Sequence, residues 1–449
     1  MRHLKYFLFI ILTALTFGAC DNSVSDPTFA DDEIPYIRMD WVGNLIYNLG
    51  DTIRFNAQVS PVDETTCRWL INGEQVAEGT QFEYIIKSAD PFVLRLEAER
   101  NGIVNFRTAN VSIIKPFVPK TYEHVVMGAA STAINVAQIK WDKITHLMIE
   151  GLIVGDESGT FAMPDAAALA NLKSLVSNAH NNGVYVLIDV TGNISFPMGN
   201  GSYNDTFFND VLIDKDKRAA LISQLKSFVT TYGLDGINIY INNLNNDAGT
   251  LKDHNGLVDF FKELGETFPA EREAPYDHFF ITASVPQAWN NYEFYFLGNC
   301  DRLDWVNLML FGGTDLSPVP HAPDWQVSDN LGRFANAAGI PASKMLVGIG
   351  GFGVNYAIPA GVSPTWGTID QYLSYPTYLD IVKNNPDAPS KSQIGNLFYV
   401  GVSGAENSVA SKSTFVKNAD GLGMFMWLLD YDASSPNSLL DAIDHQMNP

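Results

Sequence analysis

Apolar and polar residues alternate at every second position in several short stretches of the N-terminal part of the chain. These stretches are 53–59, 82–86 and 92–98. Turn-forming pairs such as Asn72-Gly73 separate them. A period of two interrupted by such turns is typical of antiparallel strands with one buried face. The pattern predicts a small all-β sandwich over residues 34–117, and Trp69 is its natural core residue.

The pattern changes after a join at 116–119, where each of two prolines fixes φ and favours extended backbone. Beyond the join, apolar runs of strand length alternate with stretches of helical periodicity, such as Leu221 to Phe228 before Gly233. This alternation indicates βα units and a parallel sheet. The predicted strands are His124–Ala129, Thr145–Leu152, Val184–Val190, Gly236–Asn242, Phe279–Val285, Trp305–Phe311, Met345–Gly350 and Gly423–Leu429. Together they predict the α/β fold of a (β/α)8 TIM barrel over residues 120–449.

The chain begins with a basic segment at 2–5 and an apolar run at 6–17 that is too short to anchor the protein in a bilayer. Small residues directly before Cys20 resemble a bacterial lipoprotein signal. We therefore predict a signal peptide over 1–20 with lipidation of Cys20; the alternative is an ordinary cleaved signal peptide that contains a cysteine. Residues 21–33 are polar and aperiodic, as in a flexible tether. The expected location is a bacterial outer membrane or cell surface, after export across the inner membrane.

Composition narrows the classes of partner. The chain of 449 residues carries a net charge of −22, which repels phosphate backbones and excludes nucleic acid as a partner. Neutral, hydroxyl-rich ligands such as sugars are compatible with this charge. The histidines have no metal-ligand spacing, so we expect no metal, and no other cofactor is indicated. Cys67 and Cys300 fall in different predicted domains, and no disulfide is expected.

The strand at 236–242 has the most informative pattern. Isoleucines occupy its odd positions and face one way, while Asn238, Tyr240 and Asn242 face the other. In a barrel the aliphatic face packs on the helices, so the three other side chains line the interior and rise toward the C-terminal rim. Because TIM-barrel sites lie at that rim, we predict that these residues belong to the site.

This strand resembles the fourth strand of the family 18 glycoside hydrolases, the chitinases and endo-β-N-acetylglucosaminidases, which reads D-G-x-D-x-D-x-E. The present sequence keeps Asp235 and the following glycine at the matching place. It has Asn238, Tyr240 and Asn242 where the family has Asp, Asp and Glu. The resemblance covers residues 120–445 and implies a family 18 barrel with an altered catalytic motif.

Other strand ends agree with this resemblance. Phe311 ends the sixth predicted strand, where the family has a tyrosine, and Trp427 lies near the end of the eighth, matching the tryptophan that floors the family's sugar pocket. Residues 34–117, in turn, resemble the PKD and immunoglobulin-like modules, which are most often spacers.

The departures remove the chemistry that the family uses. In that family the substrate's N-acetyl oxygen attacks the sugar carbon while a glutamic acid protonates the leaving oxygen. The amide of Asn242 has no proton to release at working pH, and neutral Tyr240 supplies no negative charge. Phe311 lacks the hydroxyl that orients the acetamide. The resemblance therefore implies a pseudo-glycosidase that binds glycans containing N-acetylglucosamine, and we expect no catalytic residue among these positions.

Flat aromatic rings and neutral amides are suited to binding sugars. We predict that Asn238, Tyr240, Asn242 and Phe311 contact the glycan, with two tryptophans at strand ends as stacking platforms. These tryptophans are Trp289 and Trp427, and Trp305, Trp325 and Trp366 are also expected at the rim. The alternative is that Asn238, Tyr240 and Asn242 only fill the barrel interior.

Two other functions remain open. The first is an active endo-glycosidase that uses a relocated carboxylate, for which Glu150, Asp189 and Asp235 are the candidates. The second is a structural or assembly component of a glycan-uptake system, in which the barrel binds a protein partner. Such a system would also supply partners to a glycan-binding lipoprotein.

Overall fold

The computed structural model describes residues 33–39, 44–88, 90–114, 117–154, 159–192, 211–240, 250–272, 278–286, 291–312 and 314–449. The chain divides into two compact units, Met1–Lys115 and Pro116–Pro449. The division falls at the proline-containing join. Across the described ranges, helices are too short or too polar to cross a membrane.

The N-terminal unit is all-β, as predicted. Its strands are β1 (Tyr36–Arg38), β2 (Asn44–Asn48), β3 (Thr52–Asn56), β4 (Gln58–Ser60), β5 (Thr65–Ile71), β6 (Glu74–Glu78), β7 (Gln81–Ile85), β8 (Phe92–Arg100) and β9 (Ile103–Ile114). Five of them form a sheet in the order β2-β9-β8-β5-β6, while β3 pairs with β7 and β1 with β4. Trp69 on β5 is fully buried and stacks on Phe82 of β7, with ring centroids 4.6 Å apart. The predicted core residue thus packs the five-stranded sheet against the β3–β7 pair.

The second unit contains a closed barrel of eight parallel strands, which confirms the predicted TIM barrel. Its strands are β10 (Val125–Ala130), β11 (His146–Val154), β12 (Tyr185–Gly192), β13 (Gly236–Tyr240), β14 (Phe280–Pro286), β15 (Trp305–Met309), β16 (Met345–Gly350) and β21 (Gly423–Trp427). Each lies within one of the eight predicted runs or overlaps it, because buried parallel strands are near-continuous apolar runs. The barrel closes where β10 pairs with β21.

Helices accompany the barrel strands. They are α1 (Ala166–Asn181), α2 (Lys215–Tyr232), α3 (Thr250–Thr267), α4 (Asp324–Arg333), α5 (Tyr378–Asn384), α6 (Val409–Asn418) and α7 (Leu439–Met447). The side chain of Asp214 accepts hydrogen bonds from two backbone N–H groups at the start of α2. Gly233 ends the same helix with φ of 67°, the left-handed conformation that glycine adopts without strain. The predicted helix end at Gly233 is confirmed.

A small antiparallel sheet is inserted between β16 and β21. Its strands are β17 (Val354–Tyr356), β18 (Leu373–Ser374), β19 (Gln393–Ile394) and β20 (Leu397–Phe398), in the order β18-β17-β20-β19. Val354, Tyr356 and Phe398 form its own small core together with Ile369. The insertion therefore starts directly after a barrel strand and lies next to the strand end that precedes it.

Candidate functional site

Because the barrel strands are parallel, their carboxyl ends meet at one end of the barrel, which we call the mouth. The layer of side chains farthest from the mouth is aromatic: the ring of His146 lies 5.1 Å from that of Tyr185, 5.0 Å from Phe280 and 5.3 Å from Trp305. Burial lowers the pKa of His146 to about 3, so this layer is uncharged. Trp305 begins β15 and is 4% exposed. The expectation that it lies at the rim is wrong, since it stands at the opposite end of its strand.

Asn238 lies in the next layer and has no exposed surface. Its amide nitrogen donates to Asp189 Oδ1 at 2.5 Å and to Ser284 Oγ at 2.9 Å. Its amide oxygen accepts from Thr282 Oγ1 at 2.7 Å and from Asn307 Nδ2 at 2.9 Å. An amide has two N–H donors and two acceptor lone pairs, so all four are used. Asn238 therefore holds neighbouring strands together and offers no hydrogen-bonding group to a ligand; for this residue the geometry favours the interior-filling alternative.

Two carboxyl groups lie in or just below the mouth: Glu150 on β11, and Asp189 on β12 at the level of Asn238. The pairing of these strands shifts register between Ile149 and Leu152, and such a bulge re-aims the side chain that it contains, in this case Glu150. Burial raises the pKa of Asp189 to about 7, with the nearby Glu150 charge adding to the effect and the bond from Asn238 opposing it. Burial also raises the pKa of Glu150. The interior of the mouth thus favours neutral carboxyl groups.

Trp427, the last residue of β21, is the centre of an aromatic cluster in the mouth. Its indole N–H donates to Glu150 Oε1. Its ring stacks on Phe311 at 5.8 Å and meets the edges of Phe352 at 5.7 Å and Tyr431 at 6.0 Å. Phe352 in turn contacts Tyr375, which is 53% exposed. The structure therefore brings the predicted residues Trp427 and Phe311 together, in an arrangement suited to a flat sugar ring.

Phe352, Tyr375 and Tyr431 were missed by the sequence analysis. Phe352 follows β16 by two positions and Tyr431 follows β21 by four, so proximity to a strand end was a signal that could have identified both. Tyr375 belongs to the insertion, next to β18, and nothing local in the sequence relates it to a barrel strand.

Asp235 does not reach the mouth. It precedes β13, is fully buried, and accepts hydrogen bonds from His180 Nε2 at 2.7 Å and from the Val186 backbone N–H at 2.8 Å. Arg272 forms an ion pair with it at 3.2 Å. Asp235 thus binds the end of α1 and the start of β12 to its own strand. Asp235 cannot serve as the relocated carboxylate of an active glycosidase, because it lies at the N-terminal end of β13, away from the mouth.

Tyr240 ends β13, half-buried, in register with Thr191 of β12 and Ser284 of β14. This position puts it at the level of the mouth, as predicted from the period of two. Asn242, Trp289 and Cys20 lie outside the described residues, and their predicted roles stay predictions.

Two other expected rim tryptophans are largely solvent-accessible: Trp325 is 52% and Trp366 57% exposed. Within the described ranges, no three His, Cys, Asp or Glu side chains are grouped closely enough to hold a metal ion. The described part of the mouth can therefore stack aromatic rings on a ligand and bind it with neutral polar groups.

Comparisons with known proteins agree with this architecture. A probable endochitinase from Caenorhabditis elegans is 25% identical over 270 residues, which are 52% of this chain and 43% of that protein. The chain thus spans less than half the length of this curated relative.

Among solved structures, a chitinase from Bacteroides thetaiotaomicron is 24% identical with a TM-score of 0.56, covering 72% of this chain and 96% of that one. A class V chitinase from Nicotiana tobaccum in complex with NAG4 is 18% identical with a TM-score of 0.57, covering 72% of this chain and 99% of that one. Both likenesses show the fold. The family model for glycosyl hydrolases family 18 matches residues 121–432, most of the chain and nearly all of the barrel unit, and the chain therefore belongs to that family.

Proposed function

We propose that this protein binds a glycan containing N-acetylglucosamine in the barrel mouth and does not cleave it. The observation that carries the proposal is the fourth barrel strand. Its inward positions hold Gly236, Asn238 and Tyr240, and position 242 is an asparagine, so the strand supplies no carboxyl group where the family has three. The buried amide of Asn238 is fully bonded.

Loss of the acid removes proton supply rather than binding. A positioned general acid contributes about 10²- to 10⁴-fold to a rate, whereas stacking on aromatic rings needs no titratable group. The cluster around Trp427 supplies such rings, with Phe311 stacked on the indole and Phe352 and Tyr431 in edge contact with it. The sugar class is taken from the family and from the chitinases to which this chain is similar, one of them in complex with NAG4.

Binding and product analysis on the same material test the proposal. Purified protein is titrated with chitin oligosaccharides and N-glycans, and the same mixtures are analysed by chromatography for released sugar. We expect saturable binding and no product. Trp427→Ala should lower the affinity by about tenfold or more through the lost ring contact. Release of sugar by wild-type protein would contradict the non-catalytic function.

A variant with Tyr240→Asp and Asn242→Glu tests whether the substrate groove is intact. These changes restore two of the family's three acids, and we expect measurable cleavage to appear. The matched control is Tyr240→Asn with Asn242→Gln, which makes changes of similar size without adding a carboxyl group and should stay inactive. Cleavage by both variants would show that the acid is supplied elsewhere.

Burial raises the pKa of both Asp189 and Glu150, which favours a second candidate, an endo-glycosidase with a relocated acid. A carboxyl group with a pKa near 7 is protonated often enough to act as a general acid. Asp189 is only 6% exposed and bonded to Asn238, which places it below the surface that a substrate reaches. Glu150 accepts a hydrogen bond from the indole of Trp427 and so lies beside the aromatic cluster proposed to hold the glycan. Turnover that disappears in Glu150→Gln but persists in Asp189→Asn would establish this function with Glu150 as the acid.

We also propose that the protein is a lipoprotein of the outer membrane or cell surface, anchored through Cys20, where it would present the mouth to glycans and to components of an uptake complex. The support is the order of basic segment, apolar run and cysteine in residues 1–20. Labelling cells with a radioactive fatty acid tests it: wild-type protein should carry the label and Cys20→Ala should not. Protein released into the medium unlabelled would contradict the anchor.

A further inference from the structure

The carboxyl groups in and just below the mouth lack a cationic partner. They are Glu150 on β11, Asp189 on β12 and Asp430, which follows β21. None of the ion pairs in the described part of the barrel unit includes any of the three. Burial raises the pKa of Glu150, and the charge of Asp430 adds to this effect. Because buried carboxylates are ordinarily paired with a cation, the mouth is suited to a ligand that brings a positive charge.

Glu150 is the carboxyl group best placed to contact a ligand. It is partly exposed, and its Oε1 accepts a hydrogen bond from the indole N–H of Trp427, while its Oε2 accepts none from the described residues. Asp430 differs, because both of its oxygens accept bonds from Ser131, at 3.0 Å from the backbone N–H and at 2.6 Å from the hydroxyl. Asp189 is only 6% exposed. One carboxylate oxygen beside the aromatic cluster is therefore available to a ligand.

The hydroxyl of Thr191 is a second acceptor, on the strand next to that of Glu150. Thr191 follows Asp189 by two positions on β12, so both side chains lie on the inward face, and it is in register with Tyr240 at the mouth. Its Oγ1 is shielded from solvent and has no hydrogen-bond partner in the part of the chain that the structure describes. A buried hydroxyl without a partner destabilises the folded protein. A ligand that donates a hydrogen bond to Thr191 removes this penalty.

An ammonium group satisfies these acceptors better than an acetamide does. It brings a positive charge and three N–H donors, whereas an acetamide is neutral and has a single N–H. Hydrogen bonds in which a partner is charged are about twice as strong as those between neutral groups. The indole ring of Trp427 also attracts a cation that lies over its face. The other predicted contact residues at the mouth, Tyr240 and Phe311, carry no positive charge that would repel an ammonium group.

We propose that the sugar unit held against Trp427 carries a free amine, as in a 2-amino-2-deoxy sugar, and that its ammonium group binds to Glu150 and Thr191. The proposal rests on the proposed glycan binding at the mouth. It specifies that the glycan is one from which part of the N-acetyl groups has been removed. Partly deacetylated chitin, which contains both kinds of sugar unit, has this chemistry.

Binding of an ammonium sugar should be coupled to proton release. Burial raises the pKa of Asp189 to about 7, so this group is mostly protonated at pH 6. A nearby cation lowers a carboxyl pKa by roughly one to three units, so binding at pH 6 should release roughly 0.4 to 0.9 of a proton from Asp189. The other titratable groups around the described part of the mouth are Glu150, Asp430, Tyr240, Tyr375, Tyr431 and His321. His321 stays uncharged, because burial lowers its pKa to about 3.

Calorimetric titration at pH 6 compares the fully acetylated and the fully deacetylated chitin tetrasaccharide. We expect the wild type to bind the deacetylated form about tenfold more tightly or better. Repeating the titration in two buffers of different ionisation enthalpy measures the proton release, which the acetylated form should not show. Glu150→Gln keeps an oxygen for the indole N–H of Trp427 and should bind both forms equally. The matched control is Asp142→Asn, which removes the same charge at a side chain that is 76% exposed and should keep the preference.

The outcomes separate the amine site from glycan binding as such. Equal binding of the two forms by the wild type, or binding of the acetylated form alone, refutes the amine site and leaves the proposed function standing. A preference that survives Glu150→Gln, or that Asp142→Asn also abolishes, refutes the amine site as well, because the preference then comes from the overall negative charge. Binding of the deacetylated form alone, lost in Trp427→Ala, supports the amine site and overturns N-acetylglucosamine as the sugar recognised. Binding of neither form overturns both proposals.

Discussion

Protonation of Asp189 should make the stability of the barrel depend on pH. Burial raises the pKa of this carboxyl from 3.8 to about 7 in the folded protein, whereas the unfolded chain exposes it. Between these two values the folded state holds a proton that the unfolded state has released. Stability from this group is therefore fully present below pH 3.8 and is lost as the pH rises through 7. The direction is opposite to that of an ordinary salt-bridged aspartate.

The magnitude follows from the pKa difference. One pKa unit corresponds to about 1.4 kcal/mol, so a shift of roughly three units amounts to about 4 kcal/mol at most. Asp189→Asn removes the titrating group and keeps an oxygen that can accept the bond from Asn238. We expect the unfolding free energy of the wild type, relative to Asp189→Asn, to fall by up to about 4 kcal/mol between pH 4 and pH 7 and to stay constant above pH 8.

Urea unfolding followed by circular dichroism over this pH range measures the difference. The matched control is Asp142→Asn, at a side chain that is 76% exposed, which should give a curve parallel to that of the wild type. Glu150→Gln removes the neighbouring charge that raises the pKa of Asp189 and should shift the loss to lower pH. If the curves of wild type and Asp189→Asn are parallel from pH 4 to 8, Asp189 is not held neutral by burial and the reasoning is refuted.

Three substitutions test the rest of the architecture by urea unfolding and glycan titration. Asp235→Ala leaves Arg272 and its other partners without their buried acceptor and should lower the free energy of unfolding by about 3–5 kcal/mol. The glycan affinity of the folded protein should stay unchanged, and a loss of affinity without a loss of stability would show that Asp235 belongs to the binding site. Trp69→Ala should destabilise the N-terminal unit by about 3–5 kcal/mol and leave binding at the mouth intact, whereas an unchanged transition would show that this core is not centred on Trp69. Gly423→Ala places a Cβ 2.0 Å from the Val125 carbonyl oxygen, where the barrel closes, and should lower the free energy of unfolding by about 1–3 kcal/mol or more. Stability equal to that of the wild type would mean that the two closing strands move apart at little energetic cost.

The sequence by itself determined the fold. Eight apolar runs alternating with helical periodicity required a parallel sheet covered by helices, and the family motif with Asp235-Gly236 placed the fourth strand. The period of two also placed Tyr240 at the mouth, because side chains in a strand alternate strictly between its faces. Trp427 and Phe311 were identified by their position, since each lies at or just beyond the end of a barrel strand.

Only the tertiary structure decided which of these residues can act on a ligand. Asn238 and Tyr240 look equivalent in the sequence, but four partners from three other strands use every hydrogen-bonding group of Asn238. Likewise Glu150 enters the mouth because the pairing of β11 and β12 shifts register beside it, which the pattern of neither strand reveals by itself. Local pattern fixes the face on which a side chain lies; burial, hydrogen-bond partners and pKa depend on neighbours that are distant in the sequence.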